Sequence, residues 1–247
     1  MRDGYTVIRN VVPFPMVQRA LRLINRSLGE GIDQADLCRR TAGDFPELAT
    51  SRTITDLVNA TAVSSYVETL TGLNSLVPVS RAQIALRFPV LDGDDPRLHC
   101  HLDGQWGKFE GVEAKDYGAN FSVLVCVLLN DIHDLNCGNF SVVPQTHRIY
   151  EEHFRHYGID AFSRGIRKVK VEAPVQITGT AGDVVLMHYQ LAHGPAPNFS
   201  ANIRYAAFFR FKNALRDSHK QQALTNIWLD FPPISNGLSK RLAPAKG

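Results

Sequence analysis

The chain is poor in cysteine: four in 247 residues, none arranged as CxxC. So sparse a set, Cys38, Cys100, Cys126 and Cys137, does not describe a disulfide-stapled secreted domain. Cys126 sits inside an apolar run and reads as a small buried hydrophobe. Long hydrophobic runs are missing as well. None reaches the roughly 18 apolar residues of a membrane-spanning helix, and the opening "MRDGYTVIRN" has no apolar core of signal-peptide length. Charge of one sign is scarce too. The formal net charge is +3, and Arg39 with Arg40, Lys168 with Lys170, and Lys240 with Arg241 come nearest to clusters. Nothing here suggests a nucleic-acid groove. Repeats and low-complexity tracts are absent. The expectation is a soluble protein in a reducing, cytoplasmic setting, with neither membrane nor nucleic acid as partner.

What is present suffices for one large domain. Hydrophobic residues make up 44% and charged residues 21%, which is ordinary globular usage at a length that can bury a core. "GYTVIRNVV" alternates and predicts a short strand. In the segment after Pro13, residues Phe14, Val17, Leu21, Ile24 and Leu28 recur at steps of 3 and 4, one apolar stripe of a helix ended by Gly29 and Gly31. Arg19, Arg22 and Arg26 fall on its wet side. "ITDLVNATAVSSYVETLTG" predicts a second helix, with Leu57, Val63, Val67 and Leu70 inward and Gly72 as its stop. From about residue 77 the texture becomes β-rich: "AQIALRFPV", "NFSVLVCVLLND", "NFSVVP", "KVKVEAPVQI", "GDVVLMHYQL" and "IRYAAFFRFK". Short strands separated by turn residues predict an antiparallel sandwich or barrel. The expected fold is α+β and mainly β, with N-terminal helices (about 1–76) on one face of a β core (about 77–214) and a lid or tail at 215–247, all one domain.

The stretch "RLHCHLDGQW" (97–106) concentrates metal-ligand chemistry. Residues i and i+2 of a strand share a face, so His99 can pair with His101, or His101 with Asp103. The first pairing would suit a cupin-like site, but the next glutamate, Glu110, is too distant for that spacing. The second supplies one imidazole and one carboxylate. A second histidine from elsewhere would complete a two-histidine, one-carboxylate triad suited to Fe(II). "GDVVLMHYQLAHGP" offers His188 and His193, which parity sends to opposite faces unless a bulge intervenes. His193, at the end of an apolar strand, is the better placed to face a cavity mouth. Eleven residues on stands Arg204, a guanidinium among Ile203, Tyr205, Ala206 and Ala207. Buried there it requires an anion, from an internal Asp or Glu or from a ligand.

In combination, "HLD" (101–103), "CGNFSVVPQTH" (137–147), "GDVVLMHYQLAHGPAPN" (182–198) and Arg204 resemble the phytanoyl-CoA dioxygenase family of Fe(II)/2-oxoglutarate-dependent oxygenases. The opening "DGYTVIRNVVP" and the following helix also resemble that family. The resemblance implies a double-stranded β-helix (jelly roll) core, with His101, Asp103 and His193 as metal ligands and catalytic centre. It implies that Arg204 binds the distal carboxylate of 2-oxoglutarate, with O2 as oxidant and ascorbate as supporting reductant. His147 is expected to be structural. Family members often carry Ser two residues after the distal histidine, and here that position is Pro195. Gln83 and Ser122 are further candidates for co-substrate contacts, and Arg87, Trp106 and Phe109 for substrate contacts. Tyr117 could also line the mouth, and 215–233 could form a lid or pack on the N-terminal helices. A carboxylate at 103 argues for hydroxylation, or for desaturation or ring closure, of a free small molecule such as a metabolite or natural product. Nothing identifies a coenzyme A site. Three other readings stay open: a cupin-like enzyme using His99 and His101 without 2-oxoglutarate, a non-catalytic binding module on the same fold, and a zinc hydrolase, for which no general base is evident.

Overall fold

A computed structural model describes residues 2–31, 45, 47–90, 98, 100–103, 120–158 and 171–235. Within them, after one short strand, three helices precede the main run of strands, as the sequence predicts. Strand β1 (Tyr5–Ile8) leads to helix α1 (Phe14–Gly29), then α2 (Arg52–Asn59) and α3 (Val63–Thr71). The expected single helix up to Gly72 is thus two. Thr61 interrupts it: its hydroxyl donates to the Leu57 carbonyl and accepts the Val63 N–H, competing with the helical ladder. The buried stripe of α1 is also rotated from expectation. Val17, Ala20, Ile24 and Ser27 face the core, while Phe14 is 57% exposed. Small Ala20 and Ser27 allow close approach, which a pattern of large apolar residues overlooks.

The remaining elements are β2 (Leu76–Val77), β3 (Ala82–Arg87), β4 (Val123–Leu128), β5 (Phe140–Val142), α4 (Thr146–Tyr157), β6 (Val175–Gln176), β7 (Val184–His188), β8 (His193–Pro195), β9 (Arg204–Asn213) and α5 (Arg216–His219). They form two antiparallel sheets. The larger runs β1-β7-β4-β9, with β2 and β3 both paired along the far edge of β9. The smaller runs β6-β5-β8. Phe140 of β5 meets Phe208 of β9 edge to face, 5.1 Å between ring centroids, so the sheets pack against each other there. On the opposite face of β9, Tyr205 donates to Asn25 of α1 at 2.8 Å, which places the helical layer behind the large sheet. Apolar residues of α1 to α3 and of both faces of β4 merge into one core. No helix among the described residues is long and apolar enough to cross a membrane.

Helix α4 was not anticipated from the sequence. Its buried face is Thr146, His147, His153 and Phe154, so no apolar stripe announces it. Residues 214–235, after β9, are not among those that line the inter-sheet cavity. This segment is clamped to the end of β7 and to α4: His188 Nε2 meets the Ile227 carbonyl at 2.9 Å, Tyr189 donates to the Ala223 carbonyl, and Arg155 to that of Thr225. Arg216 and Asp230 pair within it at 2.8 Å. Of its neighbours in the N-terminal helices, Leu70 of α3 shares an apolar recess with Trp228 and Phe231.

Candidate metal centre

A single backbone bridge builds the centre. His101 and His193 exchange both N–H···O bonds, at 2.9 and 3.0 Å, as an isolated antiparallel pair at the start of β8. This register lays the middle of the chain against its late strand. Their rings lie 4.6 Å apart. Asp103, two residues after His101, points the same way, and its Oδ1 lies 3.3 Å from His101 Nε2 and 3.6 Å from His193 Nε2. One ligand atom from each residue lies within 4.8 Å of the other two, close enough to share one ion.

Hydrogen bonds decide which atoms face inward. His193 Nδ1 is 3.0 Å from the Leu191 carbonyl, which can only accept, so Nδ1 carries the proton and Nε2 keeps its lone pair. Burial lowers the His193 pKa to about 4, leaving the ring neutral at physiological pH. Asp103 is turned by Arg210: Nε and Nη2 donate to Oδ2 at 3.2 and 2.9 Å, leaving Oδ1 toward the imidazoles. Burial works to raise the Asp103 pKa. The His101 hydrogen bond and the charges of Arg210 and His193 outweigh it and hold the carboxylate ionised far below its usual range. Gln83 in turn accepts from Nη1 and Nη2 of Arg210, at 3.1 Å each.

The triad opens into a cavity of about 400 Å³ between the sheets, a size suited to a small ligand. Alternation along β9 puts Arg204, Phe208 and Arg210 on its wall, and β3 contributes Gln83 and Arg87. Phe140 and Phe208, with Leu86 and Leu124, contribute to the apolar part of the wall. His101 stands at the mouth, its side chain 51% exposed. Arg204 is buried at 3% exposure, and its hydrogen bonds go only to carbonyls: Nε to Gly138 at 2.6 Å and Nη1 to Ala85 at 3.0 Å. The internal Asp or Glu that would explain it is not found among the described residues. Burial lowers its pKa to about 10, so it remains a cation at neutral pH. Gly138 admits the arrangement. Its φ is +74°, and a Cβ there would lie 2.9 Å from Arg87 Cβ and 3.0 Å from Arg204 Cβ.

Of the other sequence candidates, Gln83 and Arg87 line the cavity, and Ser122 does not. The Ser122 hydroxyl instead accepts the Asn213 N–H at 3.0 Å, a backbone-securing role just before the start of β4. His99, Trp106, Phe109, Glu110 and Tyr117 lie outside the described residues. His147 and His188 pack together, ring centroids 5.2 Å apart, on the C-terminal side and away from the triad. Sequence reasoning missed Arg210. The signal was parity: six positions from Arg204, it shares the same face of β9.

The phytanoyl-CoA dioxygenase (PhyH) family model matches residues 1–206. The chain belongs to this family. No curated protein matches it in sequence. Among solved structures it is similar to the non-haem α-ketoglutarate-dependent epimerase SnoN from nogalamycin biosynthesis, with a TM-score of 0.59 and 17% identity over 86% of this chain and 77% of that one. It is also similar to HygX from Streptomyces hygroscopicus, solved with nickel and 2-oxoglutarate, with a TM-score of 0.57 and 17% identity over 86% and 84% of the two chains. The carbocyclase SnoK, also from nogalamycin biosynthesis, gives a TM-score of 0.55 and 18% identity over 86% and 81%. At such identities the likeness is one of fold: this PhyH-family chain shares their arrangement of helices and antiparallel sheets.

Proposed function

We propose that this protein is a non-haem Fe(II)- and 2-oxoglutarate-dependent oxygenase acting on a small molecule, its two sheets forming a double-stranded β-helix. One observation carries the reading. A buried guanidinium with no counter-ion among the described residues, Arg204, shares a cavity of about 400 Å³ with a His-Asp-His cluster able to hold a metal ion. The donor set fits the metal: two imidazole nitrogens and one anionic oxygen suit Fe(II) and leave coordination positions open. Arg204 fits the far carboxylate of a 2-oxo diacid, since its fork matches a carboxylate and needs one where it is buried.

In this reading His101, Asp103 and His193 hold the iron and Arg204 orients 2-oxoglutarate. Bound together, iron and the keto acid supply the activation of O2, with succinate and CO2 as co-products. The chain's own residues prepare the site. Leu191 fixes the His193 tautomer, Arg210 keeps Asp103 ionised and turned, and Phe140 and Phe208 keep the cavity wall dry. Hydroxylation of a metabolite or natural product is the favoured outcome. The epimerase and carbocyclase among the fold's relatives leave desaturation or cyclisation within its range. We infer a reducing, cytoplasmic setting from the sparse cysteines of the sequence.

The test is succinate release across a panel of small metabolites with Fe(II), ascorbate and 2-oxoglutarate under air. Succinate formed above the uncoupled background with one panel member supports the reading. No 2-oxoglutarate turnover with any member, and none without substrate, would count against it.

A further inference from the structure

Arg204 has a like-charged neighbour. Arg87 of β3 is its Cα partner in the antiparallel register with β9, and both residues line the cavity. Gly138 lies against the Cβ atoms of both, so the two side chains leave the backbone side by side. The Arg87 guanidinium has no hydrogen bond or ion pair among the described residues; its charge only adds to the burial that already disfavours the Arg204 cation. Like charges directly opposite on one sheet face are destabilising. The cavity's one carboxylate among the described residues, Asp103, is already held by Arg210. An anion supplied by a ligand is what reconciles the pair.

The position of the pair indicates which ligand. Arg87 and Arg204 stand six strand positions from the level of Arg210 and Asp103, at the end where Arg204 is fully enclosed. The mouth is at the other end, beside His101. A carboxylate has lone pairs for more donors than one guanidinium supplies. Pro195, on the cavity wall, has neither hydroxyl nor N–H to offer. We propose that Arg87 is the second donor to the distal carboxylate of the 2-oxo acid, so that two arginines clamp one end of the co-substrate. This rests on the oxygenase reading above.

The experiment is calorimetric titration of Ni(II)-loaded protein with 2-oxoglutarate and with 2-oxovalerate, which has the same chain length without the distal carboxylate. Wild type binds 2-oxoglutarate much the tighter. Arg87→Met weakens 2-oxoglutarate by about 10- to 100-fold, the range for a hydrogen bond to a charged group, and leaves 2-oxovalerate within about twofold. Arg87→Lys, which keeps the charge and loses the fork, gives a smaller loss and carries the test if the Met variant does not fold. Circular dichroism confirms folding of each. Unchanged 2-oxoglutarate affinity in both variants overturns the clamp, as does an equal loss for the two acids. Wild type that binds neither acid overturns the oxygenase reading itself, which separates the two failures.

Discussion

Arg204 and Arg216 are both buried, at 3% and 0% exposure, and their surroundings differ in one respect. Arg216 donates to Asp230 at 2.8 Å, lies 3.8 Å over the ring of Tyr189, and shares its carboxylate with His219 at 2.5 Å. Every charge in that C-terminal cluster has an opposite nearby. Arg204 has carbonyls and the positive Arg87. The first arrangement is complete in the protein alone and reads as a structural clamp holding the last segment onto β7 and α4. The second lacks an opposite charge among the described residues. A buried cation without a counter-ion among the described residues is costly, and the carboxylate of the proposed co-substrate would supply one.

The sharpest way to break this contrast is to remove one carboxylate. Asp230→Ala removes the carboxylate that pairs with buried Arg216, and is expected to cost about 3–5 kcal/mol of stability, read as a large drop in the denaturation midpoint. Arg204→Met removes two hydrogen bonds to carbonyls but also an unpaired buried charge. It is expected to destabilise the metal-free protein much less than Asp230→Ala. Equal losses would erase the distinction between the two arginines. A smaller effect is expected of Arg210→Met. Released from Arg210, Asp103 loses its fixed orientation, and metal affinity should fall about 10- to 100-fold, measured by competition with a chelating dye, with little change in fold. Unaltered affinity would show that Arg210 does not position the ligand.

The smallest effect is that of pH, and it spans both regions. Burial depresses the folded pKa of His188 in the C-terminal cluster and of His193 at the metal centre. Unfolded, each takes up a proton near pH 6.5. Between that pH and the depressed values the unfolded chain binds more protons, so metal-free stability falls on acidification from pH 7.5 to 5.5. The carboxylates of Asp103 and Asp183, held down when folded, add losses only below about pH 4. A melting temperature that does not fall over the upper window would contradict the assignment of both rings as buried and neutral.

The same contrast explains what the sequence could reveal. Arg204 stands out because it interrupts an apolar strand, and His101 with Asp103 because a spacing of two keeps them on one face. Their meeting with His193 depends on a bridge between segments ninety-two positions apart, which only the resemblance to a family could anticipate. Arg210 alternates with Phe209 and Phe211 and reads as an outward residue, although its face is the cavity. Arg216, in "ALRDSHKQQ", looks like part of a solvated loop, and its burial depends on Asp230, fourteen residues on. Ser122 shows the converse. Its type suits a ligand contact, but its oxygen is taken by the backbone of Asn213. Local chemistry was legible; which groups are left over after the protein satisfies itself was not.

The most direct test of the account is an anaerobic titration of the metal-free protein with Fe(II) and then 2-oxoglutarate, followed in the visible spectrum. The account predicts a weak charge-transfer band that saturates at one equivalent in wild type, needs much more 2-oxoglutarate in Arg204→Met, and is absent in His193→Ala. A band of equal affinity in Arg204→Met, or none in wild type at saturating ligand, would contradict it.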